Sequence, residues 1–188
     1  RVSHVFLMDV PGYPHPVMIT DAVVNISPTL EDKAHIIQNA IDLAHIIGIP
    51  QPKVAILSAI ETINPKIQST LDAAALCKMA DRGQITGGLL DGPLAFDNAV
   101  SLMAAKTKGI TSNVAGRADI LVTPDLVSGN MLAKQLEYMA NALAAAIVIG
   151  AKVPIVLTSR ADTAETRMAS CVIASLVAHH NRGKVQES

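Results

Sequence analysis

Two short segments of the sequence carry residue types that bind anionic groups. Ser159 and Arg160 stand side by side in VLTSRADT, where they offer a hydroxyl and a guanidinium fork that matches phosphate oxygens. Ser128, Gly129 and Asn130 stand together in PDLVSGN, where they offer polar donors and close backbone approach. Each segment follows an apolar run and leads into a helical pattern, and helix N-termini present free N–H groups. The sequence therefore predicts two anion sites.

Several nearby polar residues have both a structural and a functional interpretation. Asp162 fits the N-cap of the closing helix, with Glu165 three residues later, yet both are also carboxylates beside the Ser-Arg pair. Asn130 fits a cap or a ligand equally well. Asp91 belongs to an Asp-Gly turn signal or to a site, and Asp125 follows the apolar run DILVT. These alternatives stay open at this point.

Several other kinds of site are disfavoured. The six histidines and two cysteines show no metal-ligand spacing, so no metal is predicted. The G-x-G-x-x-G, P-loop and G-x-S-x-G patterns do not occur, which argues against a dinucleotide site, a P-loop and a nucleophile elbow. With 15 basic and 16 acidic residues, the basic ones scattered, we expect no nucleic-acid binding.

The cysteines and the apolar runs indicate the cellular compartment and whether the chain could cross a membrane. Cys77 and Cys171 lie in apolar helical stretches and are predicted to be reduced, buried thiols of a cytoplasmic protein. The longest apolar run, 143–149, is too short to cross a bilayer, so no membrane association is expected. A net charge of −1 and a mean hydropathy of +0.37 favour an apolar surface for a partner subunit.

Apolar runs and helical periodicities alternate from Lys53 onward, which predicts parallel strands joined by helices. Half of the residues are hydrophobic and only 2% are aromatic, a composition typical of an α/β protein with buried strands. Strands are predicted at 2–10, 17–20, 53–58, 85–90, 119–123, 145–149 and 153–158, the first two as a hairpin. Helices are predicted at 29–47, 64–81, 95–106, 129–142 and 162–179, with Thr29 and Asn64 as N-caps of the first two.

Four blocks of the sequence resemble the phosphate acetyl/butyryltransferase family, in order and at the family's spacing. They are KVAILSAIETINPKIQSTLDAAALCKMA (53–80), LLDGPLAFDNAVS (89–101), GRADILVTPDLVSGNMLAKQL (116–136) and VPIVLTSRADTAETR (153–167). The wording RVSHVFLMDVPG looks most similar to the transferase part of fusions with a hydratase-like N-terminal domain.

The resemblance implies a three-layer, mostly parallel sheet that forms the second domain of a two-domain enzyme, with a fold like that of isocitrate/isopropylmalate dehydrogenase. Residues 1–188 would be the C-terminal domain, and the family's N-terminal domain would precede them. The closing helix, 162–179, would pack on that domain, so its apolar face should be partly uncovered here. A homodimer is expected, and the chain alone is expected to be inactive.

The resemblance also implies the substrates, which are coenzyme A or acyl-CoA and phosphate or an acyl phosphate, with no bound cofactor. Ser159 and Arg160 match the family pair that binds phosphate and orients the reacting thiol. The substrate contacts would be Asp91, Asp125, Ser128, Gly129 and Asn130.

The base that activates the thiol remains undecided in the sequence. The acetyl branch of the family has an aspartate seven residues after the serine, but this chain has Thr166 there. Asp162 and Glu165 are the nearest carboxylates, and the S-R-A-D-T-A-E wording leans toward the butyryl branch. Two alternatives stand beside the transferase: a metal-dependent dehydrogenase of the same fold, and a non-catalytic dimerisation or phosphate-binding fragment.

Overall fold

The structure, a computed structural model, describes residues 1–186, so the last two residues of the predicted domain lie outside it. The strands are β1 Ser3–Asp9, β2 Val17–Thr20, β3 Lys53–Leu57, β4 Leu89–Leu94, β5 Ile120–Val122, β6 Leu143–Ile149 and β7 Ile155–Val156. The helices are α1 Leu30–Ile46, α2 Gln68–Asp81, α3 Phe96–Val100, α4 Leu102–Thr107, α5 Leu126–Met139 and α6 Ala164–Gln186.

The seven strands form one sheet in the order β4-β3-β5-β2-β1-β6-β7. The strands β4, β3, β5 and β2 are parallel neighbours. Strand β1 is antiparallel to both β2 and β6, and β7 is antiparallel to β6, so β6 runs in the same direction as β2. The predicted hairpin and the mostly parallel α/β sheet are thus confirmed, but the expectation of parallel pairing is wrong for β6 and β7.

The helices cover both faces of the sheet. One apolar cluster joins the sheet to α1, α2 and α6, with Ile37, Leu76 and Val177 among its buried side chains. A second cluster on the other face joins it to α3, α4 and α5, and includes Ala105 and Ala133. The three-layer arrangement follows, because a parallel sheet is stable when both of its faces are buried.

The starts of the first two helices show how local polar groups set their boundaries. Helix α1 has the predicted capping box, in which Thr29 and Asp32 bond each other's backbone N–H groups. The predicted start of α2 at Asn64 is wrong, and the helix begins at Gln68. The Asn64 side chain instead accepts a hydrogen bond from the Lys66 N–H at 3.0 Å, which closes a separate turn before the helix.

The strand predicted over 85–90 begins only at Leu89, because the preceding glycines pass close beneath α1. Gly87 has a φ of +85°, and a Cβ there would lie 2.6 Å from Cε1 of His45. The ring nitrogen Nε2 of His45 lies 2.8 Å from the Gly87 carbonyl oxygen. As a result, Asp91 lies inside strand β4 and not in a loop after it.

The single helix predicted over 95–106 is two short helices, α3 and α4. They are separated at Ser101, whose backbone is extended, with φ −122° and ψ 113°. Its hydroxyl accepts a hydrogen bond from the Ala104 N–H at 3.2 Å and so caps α4. A serine within an apolar periodic segment has ended one helix and started the next.

Helix α6 has one buried side and one exposed apolar side. Val177 is buried in the shared core, whereas Met168, Val172 and Leu176 are 67%, 52% and 45% exposed. Cys171 lies on the outward side and is exposed, so its predicted burial is wrong. Packing of this helix on another domain stays a prediction. Within residues 1–186, no helix combines the length and apolar character needed to span a bilayer.

Candidate functional site

The carboxyl ends of β2 and β5 are the switch point of this sheet, the position at which open α/β proteins bind ligands, and we refer to this position below as the crevice. The two strands are parallel neighbours, but α1, which follows β2, packs on one face and α5, which follows β5, packs on the other. The chain leads from β2 to β3 in one direction and from β5 to β6 in the other. Such a switch of direction opens a crevice between the two departing loops.

Asp21 lies directly after β2 and fixes the backbone of the loop on one side of the crevice. Its carboxylate is 3% exposed and accepts hydrogen bonds from the N–H groups of His4 (3.2 Å), Val23 (2.9 Å), Val24 (3.0 Å) and Asn25 (3.3 Å), and from the Asn25 side chain (2.5 Å). Asp21 is not among the site residues that the sequence predicts. Its place directly after the short strand VMIT was the signal that could have found it.

Asp125, three residues after the end of β5, caps α5 on the other side of the crevice. Its Oδ1 accepts a hydrogen bond from the Ser128 N–H at 2.8 Å, and the Ser128 hydroxyl donates to the Asp125 carbonyl at 3.0 Å. The predicted start of this helix at Gly129 is therefore wrong, because α5 begins at Leu126. Ser128, Gly129 and Asn130 lie within its first turns and not in the preceding loop.

Gly129 and Asn130 hold α5 against the loop that follows β2. A Cβ at Gly129 would lie 2.6 Å from Oγ1 of Thr123 and 2.9 Å from the Asp21 carbonyl oxygen. The Asn130 side chain donates to the Ala22 carbonyl at 3.3 Å. Asp125, Ser128, Gly129 and Asn130 thus lie together at the start of α5, where much of their polar character is already used by the fold. Their role as substrate contacts stays a prediction.

The segment of Ser159 and Arg160 lies at the other end of the sheet. Strand β7 pairs Ile155 with Val148 and Val156 with Ile147, so it runs toward the amino end of β6. The seven residues of β6 span roughly 20 Å. The expectation that this loop joins the others at the carboxyl ends is wrong, because the predicted buried parallel strand is a two-residue, exposed, antiparallel edge.

Within this loop, Ser159, Arg160 and Glu165 are exposed and Asp162 is partly exposed. Oδ2 of Asp162 accepts a hydrogen bond from the Ser159 N–H at 2.6 Å, which closes a turn. The prediction of Asp162 as N-cap is wrong, since the Thr163 hydroxyl accepts from the Thr166 N–H at 3.2 Å. We refer to residues 159–165 below as the Ser-Arg loop.

Thr166, at the position of the acetyl-branch aspartate, is buried inside α6. Its hydroxyl accepts a hydrogen bond from Thr163 at 3.2 Å, and its carbonyl accepts one from the Ser170 hydroxyl at 2.7 Å. The Ser170 oxygen in turn accepts from the Ala146 N–H at 2.9 Å. Thr166 is therefore connected to strand β6 through the Ser170 hydroxyl.

Asp91 lies apart from both groups. It pairs with Ala55 in the β3–β4 register, and its Oδ1 accepts a hydrogen bond from the Gly92 N–H at 2.8 Å. Strand β4 is at the far edge of the sheet, with β3 and β5 between it and β2. The nine predicted site residues thus fall into a crevice group of four, a Ser-Arg loop group of four, and Asp91.

Two side chains outside these groups, His4 and Cys77, have pKa values shifted from their ordinary values. His4 is fully buried on β1, and within residues 1–186 its ring nitrogens form no hydrogen bond of good geometry, although the Leu157 backbone lies close enough to interact with the ring. Burial lowers its pKa to about 4, against a smaller raising effect of the Asp21 charge. Burial also raises the pKa of the Cys77 thiol to about 12. Among the described residues, no cluster of three His, Cys, Asp or Glu side chains is arranged to hold a metal ion.

A three-layer α/β protein with a crevice at the carboxyl ends of parallel strands is a common scaffold for enzymes that bind phosphorylated ligands. The family model described as phosphate acetyl/butaryl transferase matches residues 1–175, and the chain belongs to this family.

Relatives and solved structures agree with this assignment. The phosphate acetyltransferase of Rickettsia felis is 62% identical over 186 residues, which are 98% of this chain and 53% of that protein. The phosphate butyryltransferase of Clostridium acetobutylicum is 48% identical over 177 residues, 94% of this chain and 59% of that protein. A crystal structure of a branched-chain phosphotransacylase from Enterococcus faecalis superposes with a TM-score of 0.88 at 35% identity, covering 95% of this chain and 64% of that one. The chain spans about half the length of the curated relatives that it matches.

Proposed function

We propose that the protein is an acyltransferase that moves an acetyl or butyryl group between phosphate and coenzyme A. The observation that carries this proposal is the family match over residues 1–175, together with 62% identity to a phosphate acetyltransferase along nearly the whole chain. Acyl-CoA and phosphate on one side, and an acyl phosphate and coenzyme A on the other, are the substrates. The reaction needs no resident cofactor.

The Ser-Arg loop is the proposed place of the reaction. Ser159 and Arg160 are exposed, and they offer a hydroxyl and a guanidinium group beside the first turn of α6. Phosphate oxygens are bound well by such a fork and by helix N–H groups. This supports a role for the pair in binding the phosphate and in stabilising negative charge on the carbonyl oxygen.

The chemistry is a direct acyl transfer. The coenzyme A thiol loses its proton to a carboxylate, and the sulfur attacks the carbonyl carbon of the acyl phosphate. The new C–S bond forms as the C–O bond to phosphate breaks, and the phosphate leaves with the electron pair. Asp162 and Glu165 are the proposed proton acceptors of this chain. Thr166 cannot take that role because a hydroxyl is not a base at neutral pH.

The crevice is the proposed binding surface for coenzyme A, the larger substrate. Asp125, Ser128 and Asn130 are each partly exposed there beside the buried Gly129. Asp91 is also partly exposed and enters the proposal as a further substrate contact. The reaction is assigned to the Ser-Arg loop and not to the crevice, because the crevice carboxylate and amide groups already bond the fold. Coenzyme A bound at the crevice would have to extend along the roughly 20 Å length of β6 for its thiol to reach the Ser-Arg loop.

We further propose that residues 1–188 form the C-terminal domain of a two-domain, cytoplasmic, homodimeric enzyme with the isocitrate/isopropylmalate dehydrogenase-like arrangement. The relatives' greater length and the exposed apolar side of α6 support a further domain. Sedimentation of the intact protein at micromolar concentration tests the dimer, and a monomer would count against it.

Formation of acyl-CoA from coenzyme A with acetyl phosphate, and separately with butyryl phosphate, tests the activity. The intact protein is expected to use at least one of the two, and the ratio of the rates assigns the branch. No turnover by a folded, dimeric protein would instead support the non-catalytic, phosphate-binding alternative.

A further inference from the structure

A buried ion pair joins α1 and α2 beside the crevice. The Nζ of Lys33 lies 2.6 Å from Oδ2 of Asp72, and the two side chains are only 8% and 14% exposed. Lysine and aspartate are rarely buried to this extent unless they are paired. Removing both charges from water costs several kcal/mol, and apolar side chains of similar size often give equal or better stability. Stability alone is therefore a poor explanation of this pair.

The pair lies under the carboxyl ends of two strands of the sheet. A cavity of about 10 Å³ beside it is lined by Ser69 and Thr123 and by the ends of β3 and β5. This is room for about one water molecule. Phosphate or coenzyme A does not fit there, so the pair does not touch a substrate in this arrangement. Its effect on the site has to act through the elements that it joins.

Each member of the pair lies near the start of a helix that follows the carboxyl end of a strand, β2 in the case of α1 and β3 in the case of α2. Lys33 is four residues after the N-cap Thr29, and α1 continues the loop after β2. Asp72 lies in the second turn of α2, which continues the loop after β3. Close by, the hydroxyl oxygens of Ser58 and Ser69 are 2.7 Å apart and join that second loop to α2.

Gln68 fixes the second oxygen of the same carboxylate. Its side-chain Nε2 donates to Oδ1 of Asp72 at 2.8 Å, while Lys33 bonds Oδ2. Both carboxylate oxygens therefore have defined partners on two different helices. Directional bonds of this kind set the relative position of the helix starts, whereas apolar contacts tolerate small shifts.

We propose that the Lys33–Asp72 pair is a positioning element that fixes the loop after β2, at the crevice, relative to the neighbouring loop after β3. Both residues act through these loops and not by contact with a ligand. The part of the proposal that concerns coenzyme A rests on the proposed function. The part that concerns the order of the loops does not, and it can be measured without any substrate.

The test replaces the pair by apolar residues in the intact protein, as Lys33→Met with Asp72→Leu. We expect a Tm within about 4 °C of the wild type. Hydrogen exchange at the Val23, Val24 and Ser58 amides should become faster by on the order of 10-fold, since these amides belong to the two loops. The KM for coenzyme A should rise by on the order of 10-fold, with kcat changed less.

A matched control is the exposed pair of Lys78 and Asp81 on α2. Its Nζ–Oδ2 distance is also 2.6 Å, but its side chains are 65% and 63% exposed. Lys78→Gln with Asp81→Asn should leave Tm, loop exchange and KM unchanged. If the loop amides of the apolar double variant exchange at the wild-type rate, the proposal is overturned. The buried pair would then only connect α1 and α2 without fixing the loops.

If the double variant does not fold, Lys33→Arg and Lys33→Gln decide the question. The proposal expects faster exchange in the loops than in β3 for Lys33→Gln, and near wild-type exchange for Lys33→Arg. Equal acceleration in the loops and in β3 would contradict it. An intact wild type without acyl transfer would refute the proposed function, while the exchange data would still judge the positioning role.

Discussion

The crevice and the Ser-Arg loop differ in how far the fold uses their polar groups. At the crevice, the carboxylate of Asp21 is 3% exposed and accepts five hydrogen bonds from its own chain. In the loop, Ser159 and Arg160 are exposed. Polar side chains therefore occur in both places, but the Asp21 carboxylate is used by the fold, whereas the Ser159 and Arg160 side chains are open to solvent. We expect substitutions at the crevice to cost stability and substitutions in the loop to cost activity.

The largest loss of stability is expected for Asp21→Asn. An asparagine would turn one acceptor oxygen into an NH₂ group that faces N–H donors, at a cost of about 3 kcal/mol in the free energy of unfolding. Urea denaturation measures this loss. Asp125→Asn is the matched control, because asparagine caps a helix as well as aspartate does and should change stability by less than about 0.5 kcal/mol. Equal losses in the two variants would show that the hydrogen bonds of the Asp21 carboxylate contribute no more to stability than the cap at Asp125.

The burial of His4 beside the crevice gives an effect of similar size that depends on pH. Its pKa in the folded protein is about 4, below the ordinary value of about 6.5 in the unfolded chain. Between these values the unfolded state binds more protons, so stability is complete above pH 6.5 and falls by up to about 3 kcal/mol as the pH drops to 4.

The variant His4→Phe isolates this contribution. Because the buried ring makes only a weak polar contact with the Leu157 backbone, phenylalanine should unfold at neutral pH with a free energy close to that of the wild type. Its stability should also decline less steeply between pH 6.5 and pH 4. Parallel pH profiles of wild type and variant would show that His4 titrates normally.

A smaller loss, about 2 kcal/mol, is expected for Gly129→Ala. The added Cβ would lie within 3 Å of Thr123 and of the Asp21 carbonyl, and this overlap outweighs the better helix propensity of alanine. Gly183→Ala in α6 is the control, since a Cβ there meets no atom of the described residues within 4 Å and should add up to about 1 kcal/mol. Thermal denaturation compares the two. Stabilisation by both substitutions would contradict the tight contact at the crevice.

The smallest effect on stability is expected for Ser159→Ala, at less than about 0.5 kcal/mol. The Ser159 side chain is exposed, and its one described bond is a long contact of 3.3 Å from the Ala161 N–H. Chemical denaturation checks this value. A loss as large as that of Asp21→Asn would mean that the loop is part of the folded core.

Local signals in the sequence predicted the elements that depend on a few neighbouring residues. The Thr29–Asp32 capping box, the opening hairpin and the buried strand Lys53–Leu57 all agree with the structure. The position of a strand within the sheet was harder to predict from the sequence. The run VPIVLT has the composition of a buried strand, yet only Ile155–Val156 pairs, at an exposed edge. Direction and neighbours of a strand depend on distant partners that local pattern does not contain.

The candidate site shows the same division. The sequence located Ser128, Gly129 and Asn130 near a helix start but missed Asp125 as its cap, because the helix begins three residues earlier than its apolar periodicity suggests. It selected Asp162 as a cap where Thr163 takes that role. Asp21 and Lys33 were overlooked, since their importance comes from contacts with β1 and α2 that only the folded chain brings together.

The most direct test of the account measures acyl-CoA formation by the intact protein with Ser159→Ala and with Ser175→Ala. Both serines are exposed, and Ser175 lies on α6 outside the proposed site. The account predicts a loss of kcat/KM on the order of 100-fold for Ser159→Ala, with unchanged unfolding, and wild-type activity for Ser175→Ala. Wild-type activity in both variants would contradict it and remove the Ser-Arg loop from the reaction.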